Sequence, residues 1–287
     1  MQTSSLPTVV VTGVSSGVGL ALAQALLQRG YRVFGSVRTA ADADRLRAEL
    51  GAAFLPLVFD VTDAAAVAQA AADVERHLAG EPLQALVNNA GVAFGGPLQH
   101  QPLAVVRQHF EVNVLGVVQV TQAFLPLLGA RPGFQGRPGR VVNIGSVSGR
   151  IASPFMGAYV GTKHALEGLS ATWRRELQLF GVPVVLIGLG RTQTPIWDKG
   201  INLDAYRDTP YHAPAQRFVQ FLVRTVAESL RPEDVAQRLV RIIETPRPNA
   251  RYTIVPKPWS NWLLPRLLPA RVLDRIIGRG LGLLPRR

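Results

Sequence analysis

The sequence predicts an α/β fold: a doubly wound parallel sheet of about seven strands, packed as a three-layer α/β/α sandwich. Three observations carry this. Short β-branched runs alternate with Ala/Leu-rich stretches at regular intervals. Most of those runs are continuously apolar rather than alternating, as strands covered on both faces must be. The chain has 287 residues, 47% hydrophobic and 17% charged, which suffices for a large core and excludes disorder over most of its length.

In chain order, strands are expected at 8–12, 32–37, 54–59, 83–87, 140–144, 183–187 and 251–255. After the first, Leu20, Ala23, Leu26 and Leu27 share one face of a helix that Arg29 and Gly30 terminate. Segments 64–79, 103–128, 155–180 and 232–244 read as helices, with Pro126 kinking or ending the second of these. Residues 130–139, with three glycines and two prolines, read as a surface loop. Residues 191–231, broken by Pro195, Pro210 and Pro214, follow the sixth strand and are expected to form a lid over the C-terminal edge of the sheet. Residues 1–256 are therefore assigned to one domain with its lid, and 257–287 to a separate tail.

Composition narrows the function. There is no cysteine, which excludes disulfides, thiolate metal sites and a cysteine nucleophile, and fits a reducing, cytoplasmic setting. The five histidines (77, 100, 109, 164 and 212) lack close metal-ligand spacing, so no metal is expected. No uninterrupted apolar run approaches a membrane span and a strand begins by Val9, so neither a transmembrane nor a secreted protein is expected. The net charge is +12, yet +8 of it falls in residues 247–287, where nine basic residues accompany one acid, Asp274. A nearly balanced body does not suggest nucleic acid; a basic tail suggests a surface partner. Within that tail, apolar pairs at 263/264, 267/268, 272/273 and 276/277 oppose arginines and are flanked by Trp259 and Trp262. Such short amphipathic helices suit peripheral membrane contact, a partner subunit, or return onto the domain itself.

The chemistry lies in three groups of residues. Thr12-Gly13-Val14-Ser15-Ser16-Gly17-Val18-Gly19 joins the first strand to the first helix, where glycines admit a pyrophosphate to free N–H groups. Leu20 stands where a phosphate-binding P-loop needs lysine, so a nucleoside triphosphate is disfavoured. Tyr159 and Lys163, four apart on one helix, project from one face. A phenol is about one part in a thousand ionised at neutral pH, and a neighbouring ammonium is expected to favour its phenolate. Tyr159 could then donate or remove the proton of a carbonyl–alcohol pair, with Ser146 polarising the same oxygen. Ser146 is not in a hydrolase elbow, since Gly145-Ser146-Val147-Ser148-Gly149 lacks the Gly-x-Ser-x-Gly spacing. At the end of the second strand Val37 stands where an acid would accept ribose hydroxyls and repel a 2′-phosphate, and Arg38 follows it, placed to pair with that phosphate. NADP(H) is therefore expected in preference to NAD(H), which stays open.

These motifs, with Asn88-Asn89-Ala90-Gly91 and Asn113 in the same order and separation, resemble the single-domain branch of the short-chain dehydrogenase/reductase family over about residues 7–255. The resemblance implies a Rossmann fold and reversible hydride transfer between NADP(H) and a small-molecule carbonyl or secondary alcohol. It implies cofactor contacts from Gly13, Ser15, Ser16, Gly17, Val18, Gly19, Arg38, Asp60, Val61, Asn88, Ala90, Gly91, Tyr159 and Lys163. Lys163 would hold the ribose hydroxyls, and Asn113 a water leading from Lys163 to solvent. Gly190, Thr192 and Thr194 would meet the nicotinamide carboxamide, although Leu189 replaces the usual proline. Asn113, Ser146, Tyr159 and Lys163 form the implied catalytic set, and a homodimer or homotetramer through 103–128 and 155–180 is implied as well. Phe155, Ile196, Trp197, Tyr206 and Tyr211 suggest a hydrophobic substrate. The rival reading is an NADP(H)-sensing binding protein on the same fold.

Overall fold

A computed structural model describes residues 6–197 and 200–285. Seven parallel strands, β1 (Thr8–Val11), β2 (Arg32–Val37), β3 (Phe54–Val58), β4 (Ala85–Asn88), β5 (Arg140–Ile144), β6 (Val184–Leu189) and β7 (Arg251–Ile254), form one sheet in the order β3-β2-β1-β4-β5-β6-β7. The fourth strand starts two residues later than its apolar run, because the N–H of Leu83 bonds Leu127 O at 2.9 Å instead of a neighbouring strand. The sixth extends to Leu189 by pairing with Ile254.

The helices are α1 (Gly17–Gln28), α2 (Ala40–Leu50), α3 (Ala64–Leu78), α4 (Leu103–Phe110) and α5 (Gly116–Phe124). They continue with α6 (Gly157–Glu176), α7 (His212–Arg224), α8 (Pro232–Glu244), α9 (Leu264–Leu267) and α10 (Ala270–Leu281). The strand pleat splits each apolar run between two cores. Val9, Val11, Val33, Ala85, Val87 and Val142 pack with α1, α2 and α8, while Val10, Phe34, Leu86 and Val141 pack with α3, α5 and the end of α6. That alternation is why continuous apolar runs were needed: neither face meets water.

Local chemistry fixes the helix ends. Asp63 accepts from Ala66 N at 3.0 Å to start α3, and Gly30 and Gly51 occupy the left-handed region just past α1 and α2. The sequence reading omitted α2, whose sequence AADADRLRAEL buries only Ala43 and Leu46 and so carries little apolar periodicity. Its start was nevertheless encoded, since Thr39 accepts from Asp42 N at 3.2 Å. It also omitted α7, because Pro214 reads as a breaker; it is the third residue of that helix, where a missing N–H breaks no intrahelical bond.

Residues 103–128 form one continuous helical run in which a π turn, Glu111–Leu115, separates α4 from α5, and a 3₁₀ turn carrying Pro126 closes it. By length and composition this 26-residue run could cross a membrane, although its apolar residues are interrupted by charged and polar ones. Half of its most apolar window is buried, with Val117, Val120 and Phe124 packed within the domain, so its apolar content serves the core.

The chain builds β1 to β3 outward on one side and then crosses to β4 on the other. The crevice at this reversal, beyond the strand ends, is where such sheets bind ligands. The insertion expected as a lid packs there: Gly95 N bonds Gly200 O at 3.1 Å, and Tyr206 lies against Gly96. The side chain of Trp197 and residues 198–199 lie outside the described residues.

The tail forms a π turn (Trp259–Leu263), α9 and α10. Trp262 is buried between the guanidinium groups of Arg251 and Arg266, 4.6 and 4.5 Å from its ring. Arg217 of α7 donates to Leu281 O at 3.1 Å, and Leu281 and Leu283 pack with Phe218. The tail therefore returns onto α7, one of the three placements its amphipathic pattern allowed.

Candidate active site

The loop after β1 is locked to the loop after β4. Thr12 Oγ1 accepts from Asn89 N and Ala90 N, both at 3.0 Å, and Asn89 Nδ2 donates to Thr12 O and Gly13 O, both at 2.9 Å. Two glycines here cannot be replaced. Gly13 has φ +70° and a Cβ there would lie 2.9 Å from Ala90 Cα; one on Gly19 would lie 2.1 Å from Gly13 O. Ser16 precedes α1 without capping it by its side chain, so the first-turn N–H groups, including those of Gly17, Val18 and Gly19, lack intrahelical partners. Ser15 lies beside this turn, and Thr194, in the segment after β6, sits against Gly17. The result is a backbone cradle with the features that receive a pyrophosphate.

Arg38 is exposed just past β2. A second guanidinium, missed in the sequence because α2 was missed, belongs to Arg45: it donates to Ser15 O at 3.2 Å and pairs with Asp42 at 2.8 Å. Asp60 follows β3, its Oδ1 accepting from Thr62 N and Thr62 Oγ1 at 2.9 and 2.7 Å, and buried Val61 accepts from Gln119 at 2.8 Å. Gly190 N bonds Ile254 O at 2.8 Å, and Thr192 Oγ1 donates to Gly190 O at 3.1 Å, so this segment is tied to β7 despite Leu189.

The expected catalytic residues converge. Tyr159 and Lys163 lie in the first two turns of α6 and are 6% and 7% exposed. Lys163 Nζ donates to Ile144 O at the end of β5 at 2.9 Å and stands 5.6 Å from the centroid of the Tyr159 ring. Ser146, two residues past β5, accepts from Ser148 N at 3.0 Å and hydrogen-bonds Tyr159. Burial lowers the Lys163 pKa to about 8. Burial also raises that of Tyr159, with the Ser146 bond pulling it down. This differs from the expectation of a phenol lowered by the ammonium: desolvation of the phenolate outweighs attraction to a charge that is itself desolvated.

Two residues one turn apart hold the loop after β4. Asn113, in the π turn, accepts from Val92 N at 2.8 Å and donates to Val92 O at 2.9 Å and Thr162 Oγ1 at 3.2 Å. His109 accepts from Phe94 N through Nε2 at 2.9 Å and donates from Nδ1 to Val105 O at 2.7 Å, which fixes a neutral tautomer. Burial lowers its pKa. In the sequence His109 shows no metal-ligand spacing, but it stands four residues before Asn113, which puts both on one face of the helical run. Ala90 and Gly91 border the cradle, and Gly91 lies close to Asn113. Asn88 is buried in the sheet, its Nδ2 donating to Thr121 and Asn143 at 2.9 and 2.8 Å. Among the described residues, no group of three His, Cys, Asp or Glu could hold a metal.

Comparison with known proteins agrees with this geometry. A family model described as short chain dehydrogenase matches residues 7–202. The chain is 40% identical over 277 residues to an NADPH-dependent 3-dehydrocapnine reductase from Ornithobacterium rhinotracheale, covering 95% of this chain and 96% of that protein. It is 33% identical over 274 residues to the uncharacterized oxidoreductase YusZ of Bacillus subtilis, covering 88% and 94%. Among solved structures, a short-chain dehydrogenase from Streptomyces avermitilis superposes with a TM-score of 0.74 at 29% identity, covering 88% of each chain.

The neutral His109 makes a testable demand on stability. Its folded pKa lies below the ordinary value, so the unfolded chain binds more protons as pH falls through about 6.5, and the fold loses stability on acidification. Replacing His109→Gln should flatten the dependence of urea-unfolding free energy between pH 7 and 5 by up to about 1.4 kcal/mol per pH unit. An unchanged slope would show that His109 does not carry this linkage.

Proposed function

The chain belongs to the short-chain dehydrogenase family, and from this we propose that it is an NADP(H)-dependent oxidoreductase interconverting a carbonyl and a secondary alcohol on a hydrophobic substrate, with Tyr159 as acid/base. The observation that carries the reading is the meeting of Ser146, Tyr159 and Lys163 in a buried cluster at the strand ends that also bear the glycine cradle.

The residues fit the cofactor. Gly13 and Gly19 let the loops after β1 and β4 pack closely enough to form the cradle, and the first turn of α1 supplies N–H donors for a pyrophosphate. Arg38 and Arg45 can both reach for an adenosine 2′-phosphate, which accords with a 40%-identical relative named as NADPH-dependent. Asp60 and Val61 would meet the adenine, and Gly190, Thr192 and Thr194 the carboxamide. The bound nicotinamide supplies or accepts the hydride. Tyr159 then protonates the oxygen that becomes an alkoxide, or in reverse removes the alcohol proton, and Ser146 donates a hydrogen bond to the same oxygen. Lys163 holds the ribose hydroxyls and keeps a positive charge near the phenol. Because the Asn113 side chain is committed to Val92 and Thr162, the water-holding role implied for it passes to its backbone carbonyl.

Substrate character follows from the wall beside Tyr159, where Phe155, Met156, Phe218, Ile196 and Tyr211 form one apolar cluster. Such a wall favours an apolar substituent on the carbonyl carbon. Homo-oligomerisation through the long helices would cover Leu103, Phe110, Leu115 and Leu179, all exposed. A cytoplasmic setting suits a cysteine-free chain that draws on NADP(H).

Two variants test the proposal. Tyr159→Phe should keep NADPH affinity within about threefold while kcat for carbonyl reduction falls roughly 10²- to 10⁴-fold; turnover at the wild-type level would remove Tyr159 as the acid/base, and a wild-type protein that binds NADPH but oxidises none against a panel of carbonyls would support the sensor instead. Arg38→Asp should weaken NADPH binding by about 10- to 100-fold and leave NADH binding little changed. Undiminished NADPH affinity would remove Arg38 from the site.

A further inference from the structure

The tail half-buries one apolar stripe and exposes another. On α10, Leu273, Ile277 and Leu281 recur every four residues and turn toward the body, with Leu281 packed in the cluster beside Phe218. Val272 and Ile276 form a second stripe on the same helix and are exposed, and Arg271, Arg275 and Arg279 form an exposed row next to them. The preceding turn and α9 add Trp259, Leu264 and Leu267 to the exposed apolar surface, at 69%, 46% and 73%. Phe221 of α7 is exposed as well, and an apolar cavity of about 570 Å³ opens between α7 and α10, flanked by Arg217 and Arg224.

Return onto the domain explains only the first stripe. We propose that the second, with its arginines, is a docking surface for an anionic lipid bilayer. A bilayer interface meets both requirements: apolar side chains enter the acyl boundary, tryptophan settles at the headgroups, and arginines pair with anionic phosphates. Charge placement supports this occupant, since residues 247–287 hold nine basic residues against one acid while the rest of the chain is nearly balanced. A second copy meeting face to face would set one arginine row against another. Nucleic acid would satisfy the arginines and leave Trp259, Leu267 and Ile276 in water.

The proposal does not depend on the redox reading, because vesicle binding needs no turnover; an inactive protein that binds vesicles would sustain one and sink the other. The full chain is sedimented with vesicles of phosphatidylcholine containing about one-third phosphatidylglycerol, and with pure phosphatidylcholine, at about 0.1 and 0.5 M salt. Binding is expected to the anionic vesicles only, to weaken at high salt, and to fall at least tenfold in the double variant Leu267→Asp/Ile276→Asp. Both positions are exposed, and an unchanged melting temperature confirms the fold. A second variant, Arg271→Glu/Arg275→Glu, should lose binding equally. Equal sedimentation with and without anionic vesicles, retention by both variants, or a fall in oligomeric mass without a change in vesicle binding would each overturn the proposal. So would salt-sensitive binding to duplex DNA that the Leu267→Asp/Ile276→Asp variant leaves intact while vesicles are ignored.

Discussion

An ammonium held out of water at the end of β5 sets the terms for everything around it. Lys163 meets the Ile144 carbonyl and the Tyr159 ring, and no carboxylate contributes to its ionisation. Its pKa falls from 10.5 to about 8, a differential of about 3 kcal/mol between its protonation states. Since the folded value lies below the unfolded one, stability rises with pH between about 8 and 10.5, and at neutral pH the native state bears the full penalty. A fold keeps such a penalty where a displaced ionisation is useful, and the placement beside a phenol at a ligand crevice is what makes the reading catalytic rather than structural.

The surrounding architecture holds this charge in place. Lys163 is fixed from below by β5, whose Asn143 bonds Asn88 on β4 at 2.8 Å and Ser170 on α6 at 2.9 Å, so sheet and helix cannot slide apart. The π turn inserts one residue into the long helix and brings Asn113 against Thr162, the residue before Lys163. On the other side, Phe155 adopts φ +63° just before α6 begins. A bulky residue in that region is strained by about 1–3 kcal/mol, and rings of Tyr211 and Phe218 at 6.5 and 5.6 Å hold it there. The segment after β6, the start of α6 and Tyr159 are thus mechanically one unit.

Much of this was legible in the sequence. Parallel strands with both faces covered advertise themselves as continuous apolar runs, and the four-residue spacing of Tyr159 and Lys163 places them on one face of any helix. The motif glycines could be read because close approach leaves no alternative residue. What escaped was governed by other physics. Helix α2 lies on the rim with two buried side chains, so periodicity was silent and with it Arg45. Helix α7 was hidden by a proline whose position, not presence, decides its effect. The sign of the Tyr159 shift depends on how completely the pair is desolvated, and spacing along a chain contains nothing about depth.

The buried ammonium can be measured by itself. The chain has only three lysines, at 163, 199 and 257, so ¹³Cε-lysine labelling gives three resonances, and Lys163→Arg identifies the one that matters. Titrated by NMR, that resonance should show a midpoint of about 8. A midpoint at the ordinary lysine value of about 10.4 would mean that the group is solvated, and the account of the site built on its burial would fail.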